Sequence, residues 1–165
     1  MTKKTYYTYN DIFLVPQYTE LESRKAADTS TIFGGMKLDI PFISANMDTI
    51  TGPEMAKALW NIGAIGALHR FNDTEGAIKD YVNVRHNDGK DIAGECIVSI
   101  GVNKDFKQRA IALYGVGARL FVVDVAHGHS AQVKNTLCWL RKEFADDITI
   151  IAGNVASPVA VHDLA

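Results

Sequence analysis

No stretch of this 165-residue sequence is apolar for the roughly 20 positions needed to cross a bilayer. The first residues, Met1-Thr2-Lys3-Lys4-Thr5-Tyr6-Tyr7, contain two lysines with no apolar run behind them, so they do not read as a secretory leader. An excess of charge of either sign is missing too: 17 basic residues stand against 19 acidic ones, with no run of like charge. That balance gives no electrostatic reason to expect nucleic acid or an anionic membrane as a partner. Cysteine is scarce. Cys96 and Cys138 lie far apart and form neither a disulfide framework nor a metal-ligand spacing. These absences leave a cytoplasmic protein with reduced thiols and no bound metal as the simplest expectation.

What is present is an alternation of short β-rich apolar runs with helix-period segments. Residues 41–47, 64–68, 96–102, 120–126 and 148–152 read as five buried strands. The helix after the first opens near Thr51 and Pro53 and carries Met55, Ala58, Leu59 and Ile62 on one face. The second opens near Asn72 or Asp73, with Glu75 placed to support a cap, and buries Ile78, Tyr81 and Val82. The third shows Phe106, Ala110 and Leu113, and the fourth Val133, Leu137, Leu140 and Phe144. A further helix begins at Ser157-Pro158, a cap followed by a first-turn proline.

Strands apolar on both faces and separated by amphipathic helices indicate an α/β fold with a parallel sheet covered by helices. A doubly wound sheet would be expected to carry a glycine-rich turn after its first strand, and here that turn reads Asp48-Thr49-Ile50-Thr51-Gly52. Polar residues instead recur at strand C-termini: Ser44, Asn46 and Asp48; His69 and Arg70; Ser99; Asp124 and His127; Asn154. Such ends converge at the mouth of a (β/α)8 barrel, which is the favoured architecture. Eight strands are needed for a barrel, so five imply an incomplete one with two unpaired edges. The expected organisation is an N-terminal extension over residues 1–40, with β-rich runs at 12–15 and 29–33 able to cap the barrel floor or pair as a hairpin. Residues 41–165 follow as the N-terminal part of the barrel.

Taken together, the strand ends resemble the IMP dehydrogenase and GMP reductase family over nearly the whole chain. The resemblance lies in Tyr9-Asn10-Asp11-Ile12-Phe13-Leu14-Val15-Pro16, Ile43-Ser44-Ala45-Asn46-Met47-Asp48-Thr49 and Gly66-Ala67-Leu68-His69-Arg70-Phe71. It continues in Asp124-Val125-Ala126-His127-Gly128-His129-Ser130 and Ala152-Gly153-Asn154-Val155, each at a predicted strand end. Three features lean towards the reductases. Only a short link, His86-Asn87-Asp88-Gly89-Lys90, stands where most dehydrogenases insert regulatory modules. Asn46 precedes Met47, and Leu21-Glu22-Ser23-Arg24 resembles the reductases' N-terminal segment. The His-Gly-His at 127–129 does not discriminate.

The resemblance implies reductive deamination of GMP to IMP, with a cysteine thiolate attacking carbon two of the purine and NADPH delivering hydride. NAD would replace NADPH in a dehydrogenase. It places Ser44, Ala45 and Met47 against the purine, although Met47 is also readable as a core gap-filler. It places Asp124, Val125 and Ala126 at a ribose of the dinucleotide, with a helix cap or an intramolecular ion pair as the alternative for Asp124, and Asn154 near the nicotinamide, with turn chemistry ahead of the helix at Ser157 as the alternative. Arg70 falls near cofactor phosphate or carboxamide, or else is a solvent-facing cation. Ser23 and Arg24 would reach the cofactor of a neighbouring subunit in a homo-oligomer, a tetramer by family. His127 and His129 are read as structural.

Neither cysteine fits as nucleophile: Cys96 opens an interior strand and Cys138 flanks a helix beside Trp139, both as packing residues. The family's catalytic cysteine and phosphate loops would lie beyond Ala165, so the chain alone is expected to be inactive. Two alternatives stay open: an IMP dehydrogenase without regulatory modules, and a non-catalytic half-barrel that assembles with another chain.

Overall fold

A computed structural model describes residues 5, 7–87, 89–91 and 96–165. The N-terminal lysines considered for a leader and Asp88 of the short link lie outside the described residues. The centre of the fold is a parallel sheet of β3 (Ala67–Leu68), β6 (Ile97–Ile100), β7 (Leu120–Asp124) and β8 (Thr149–Gly153). Two antiparallel pairs accompany it: β1 (Thr31–Phe33) with β2 (Met36–Leu38), and β4 (His86–Asn87) with β5 (Lys90–Asp91). The helices are α1 (Pro53–Asn61), α2 (Thr74–Arg85), α3 (Phe106–Gly115), α4 (Ala131–Phe144) and α5 (Pro158–Leu164).

Strand order in the sheet follows chain order, β3-β6-β7-β8, with no reversal. Alternation along the strands then separates two cores. Leu68, Val98, Ile100, Phe121 and Val123 face the helices and pack with Ala56, Tyr81, Leu113, Leu140 and Phe144. Ala67, Ile97 and Leu120 face the other way, into a second cluster with Ile65 and Leu38, to which no helix contributes. Helices on one face and sequential strands are the features of an arc of a (β/α)8 barrel; a doubly wound sheet would put helices on both.

The concave face is closed at its N-terminal end by the β1/β2 hairpin. Leu38 is 1% exposed there, with Phe33 and Met36 packed beside it. The turn uses Gly34 and Gly35, both at positive φ (57° and 84°), a conformation that glycine adopts without a Cβ penalty. Of the two early β-rich runs, the one at 29–33 thus both pairs and caps the floor. The run at 12–15 is not a strand, and Phe13 and Leu14 are exposed.

Two sequence expectations are corrected. Residues 41–47 do not form a strand but a single parallel bridge between Ile43 and Ile65. The Ser44 side chain is the reason: its hydroxyl accepts the Ala67 N–H at 3.2 Å, taking the place of the next main-chain acceptor and ending the ladder. On α1 the buried residue is Ala56, while Met55 and Ile62 are exposed. A Cβ at Gly66 would stand 2.6 Å from Ala56 Cα, so α1 lies directly on the β3 backbone and turns its Ala56 side inward. On α2, Ala77, Tyr81 and Val84 are buried, whereas Ile78 and Val82 are only half-buried.

Helix starts follow local chemistry. Asp73 accepts the Gly76 N–H at 2.8 Å, Ser130 that of Val133 at 3.4 Å, and Ser157 that of Ala160 at 3.2 Å. Each satisfies an amide that the first helical turn leaves unpaired. No described helix is long and apolar enough to cross a membrane.

Candidate functional site

The interior-facing positions that continue Ile97 and Leu120 toward the strand C-termini are Ser99 and Asp124. An apolar floor and a polar mouth therefore share one concave face. Ser99 is 1% exposed, and its hydroxyl donates to the Leu68 carbonyl at 2.6 Å while accepting from the Asn46 amide at 3.0 Å. It ties the loop at Asn46 to the ends of β3 and β6. Thr51, fully buried, donates to the Ala45 carbonyl at 2.6 Å, and the Met47 carbonyl accepts the N–H groups of Ile50 and Thr51. The loop carrying Ser44, Ala45 and Met47 is held by these bonds, with Met47 itself 49% exposed. Met47 is therefore not a core filler here.

Across the mouth, Arg70 Nε stands 4.0 Å from Asp124 Oδ2, and both side chains are 28% exposed. That separation exceeds hydrogen-bond length, and Arg70 Nε is a buried donor with no hydrogen-bond partner. The guanidinium also lies 5.2 Å from the centre of the Phe71 ring. A donor without an acceptor, facing a carboxylate one small group away, is the electrostatic feature that marks this end of the sheet.

Beyond Asp124 the chain binds the end of β8. The Val125 N–H donates to the Gly153 carbonyl, the Asn154 N–H to the Val125 carbonyl at 2.8 Å, and the Gly128 N–H to the Asn154 carbonyl at 2.7 Å. Gly128 is needed for the last of these contacts, since a Cβ there would meet the Asn154 oxygen at 2.8 Å. The result is a cleft of about 270 Å³ lined by Ala126, His127, His129, Asn154 and Ser157 among others. His129 closes one side through Asp163, Nε2 to Oδ2 at 2.9 Å, and that hydrogen bond holds the Asp163 carboxyl below the usual carboxylate range.

The structure thus brings Arg70 and Asp124 together and sets Ala126 and Asn154 in the lining of the adjoining cleft, while Val125 packs against the helix-facing core. Ser44, Ala45 and Met47 sit on the loop tied to Ser99. Ser23 and Arg24 stand apart in an exposed segment, where Ser23 caps its own turn by accepting the Lys25 N–H at 3.3 Å. The residue that sequence reasoning missed is Arg109, 4% exposed, which donates to the carbonyls of Ser99, Asn72 and Asp73 and to the Asn72 side chain. Burial pushes its guanidinium below the ordinary value, against the pull of Asp105 and other nearby carboxylates.

The cysteines divide. Cys96 is buried, and burial pushes its thiol up to about 12. Cys138 is exposed on α4, which corrects its reading as a packing residue. Only the thiolate is nucleophilic, so a native thiol titration at pH 8 is expected to show one reactive group, Cys138, and a second only in denaturant. Because the raised Cys96 thiol keeps its proton in the native state longer than in the unfolded one, its contribution to stability is complete below pH 9. It is lost as pH rises from 9 towards 12.

Residues 6–165 match the family described as IMP dehydrogenase / GMP reductase domain. The GMP reductase of Mycoplasma mycoides is 31% identical over 166 residues, which cover 96% of this chain and 48% of that protein. The GMP reductase of Streptococcus agalactiae serotype V is 36% identical over 159 residues, 96% of this chain and 46% of that protein. The crystal structure of inosine 5′ monophosphate dehydrogenase from Legionella pneumophila matches with a TM-score of 0.83 at 40% identity, covering 95% of this chain and 46% of that one. The chain spans about half the length of the curated relatives it matches.

Proposed function

We propose that this chain, which belongs to the IMP dehydrogenase / GMP reductase family, forms one side of the active-site rim of an enzyme that converts GMP to IMP with NADPH. The observation that carries the reading is the orphaned Arg70 Nε beside the Asp124 carboxylate. A hydroxyl group accepts and donates at once, so a ribose hydroxyl would accept from Arg70 Nε and donate to the Asp124 carboxylate. The pair thus fits a dinucleotide. Val125 and Ala126 continue that side, and Asn154, at the end of β8 in the lining of the cleft, would meet the nicotinamide end. Ser44, Ala45 and Met47 take the purine, with the exposed Met47 thioether as a soft surface for an aromatic plane.

The chemistry a bound nicotinamide supplies is a hydride to carbon two of the purine, so that GMP, NADPH and two protons give IMP, NADP⁺ and ammonium. This chain's residues bind and orient. They hold the two ring systems on one rim, the arrangement on which transfer between them depends. Neither thiol here can act as the nucleophile: Cys96 is buried and protonated, and Cys138 is on α4, outside the concave face. The 165 residues by themselves are therefore expected to give no turnover. In the same reading, Ser23 and Arg24 serve a neighbouring subunit of a cytoplasmic homotetramer.

Support for the reductase comes from Asn46, from the GMP reductase relatives, and from the short β4/β5 pair that directly follows α2. A dehydrogenase is the second reading, favoured by the 40% identity to the Legionella dehydrogenase. Absorbance at 340 nm separates them in the intact protein. Loss of NADPH absorbance with GMP is the expected result. Activity confined to NAD with IMP would make the dehydrogenase correct, and activity with neither pair would reject both.

A further inference from the structure

Arginines clamp backbone carbonyls at several points of this fold. Arg119 donates to the carbonyls of Tyr114 and Ala118 at 3.0 and 2.8 Å, and Arg141 to those of Ala145 and Ile148 at 3.0 and 2.8 Å. Both act on turns that enter β7 and β8 at the N-terminal end of the sheet, away from the rim. Arg109 differs in place. It lies on α3 behind the strand C-termini, and its guanidinium joins two neighbouring segments of that rim.

Nε donates to the Ser99 carbonyl of β6 at 3.3 Å. Nη1 donates to the carbonyls of Asn72 and Asp73 at 2.8 and 3.1 Å, and Nη2 to Asn72 Oδ1 at 2.8 Å. The Asn72 amide passes the chain on to Asp80 Oδ2 at 2.7 Å. Four bonds from one buried fork therefore hold the turn over residues 69–73 against β6. Arg70 is part of that turn, with the Phe71 N–H bonded to His69 Nδ1 at 3.2 Å and the Arg70 guanidinium lying along Gly101.

We propose that Arg109 is a positioning residue for the cofactor side of the rim, fixing the turn that carries Arg70 and so setting Arg70 Nε beside Asp124. The inference rests on the reading of Arg70 and Asp124 as dinucleotide contacts. Only a planar fork with several fixed donors reaches acceptors on both segments at once; a lysine keeps the charge but not the fork. Release of the turn moves the Arg70 guanidinium relative to Asp124, while the loop bearing Met47 keeps its bonds through Thr51 and through the Ser99 hydroxyl, since Arg109 bonds only the Ser99 carbonyl. The effect is thus confined to one of the two ligands.

The test compares Arg109→Lys, Arg109→Met and Arg119→Met in the intact protein. Both Arg109 variants are expected to lower kcat/KM for NADPH by about 10- to 100-fold, the scale of ångström misplacement. KM for GMP should stay within about twofold. In the same variants, hydrogen exchange at the Phe71 amide should quicken. Arg119→Met should lower the melting temperature without separating the two substrates. Equal losses for GMP and NADPH, or full recovery by Arg109→Lys, would overturn the proposal. Should Arg109→Met fail to fold, the lysine variant carries the comparison alone. If the wild-type protein shows no turnover with GMP and NADPH, the functional reading fails separately. Exchange at Phe71 then decides whether Arg109 holds the turn, and an unchanged rate overturns it.

Discussion

Alanine at position 66 is expected to destabilise the chain by about 3 kcal/mol, at the upper end of the cost of overpacking a core. The added Cβ would come within 2.6 Å of both Cα and Cβ of Ala56, and the first of these is backbone that cannot rotate away. Relief requires α1 to lift from the sheet, and Ala56, Leu68 and Trp60 belong to the same apolar cluster. Urea denaturation of the wild type and of Gly66→Ala checks this, since a fall in midpoint at constant slope reports stability alone. Ala56→Gly in the same chain removes one of the two colliding atoms and should restore part of the loss. A midpoint unchanged by Gly66→Ala would mean that the helix does not lie where it is described.

Asp124→Ala is expected to reduce kcat/KM for NADPH by about 30- to 150-fold in the intact protein. Among the described residues the carboxylate is the charged acceptor facing Arg70 Nε, and a hydrogen bond to a charged group contributes about 2–3 kcal/mol. Asp124→Asn keeps a hydrogen-bonding side chain without the charge and should lose less, about tenfold. Far-ultraviolet circular dichroism should be unchanged in both, because Asp124 ends β7 and is partly exposed. Steady-state rates with saturating GMP provide the measurement.

Why some of this was legible in the sequence and some was not has physical causes. Strands at 96–102, 120–126 and 148–152 are readable because the apolar residues of β6, β7 and β8 divide between the helix-facing core and the apolar floor, leaving Ser99 and Asp124 as the polar exceptions in β6 and β7. The caps Asp73 and Ser157 announced their helices by residue type. The strand at 41–47 shrank to one bridge because a serine side chain took a ladder position, and propensity is blind to such a substitution. The inward side of α1 is not legible in its own residues because Gly66, outside the helix, selects Ala56. The partner strand of the hairpin is signalled in the sequence by the Gly34-Gly35 turn pair.

The site divides in the same way. Asp124 and Arg70 stood out as charges at the ends of apolar runs, and the structure brings them to 4.0 Å. Arg109 did not stand out, because an arginine on an amphipathic helix reads as solvent-facing; only the fold shows four acceptors around it. Cys138 looked apolar by its neighbour Trp139 and is exposed. Sequence position reveals which strand end a residue occupies. It does not reveal which neighbouring end will supply its partner.

In the proposed enzyme one rim holds both ligands. A crystal structure of the intact protein with GMP and NADP⁺ bound tests it most directly. The purine should lie in van der Waals contact with Met47, and a dinucleotide ribose hydroxyl should bridge Arg70 Nε and the Asp124 carboxylate. Either ligand seated away from the C-terminal ends of β3, β6, β7 and β8 would contradict the account.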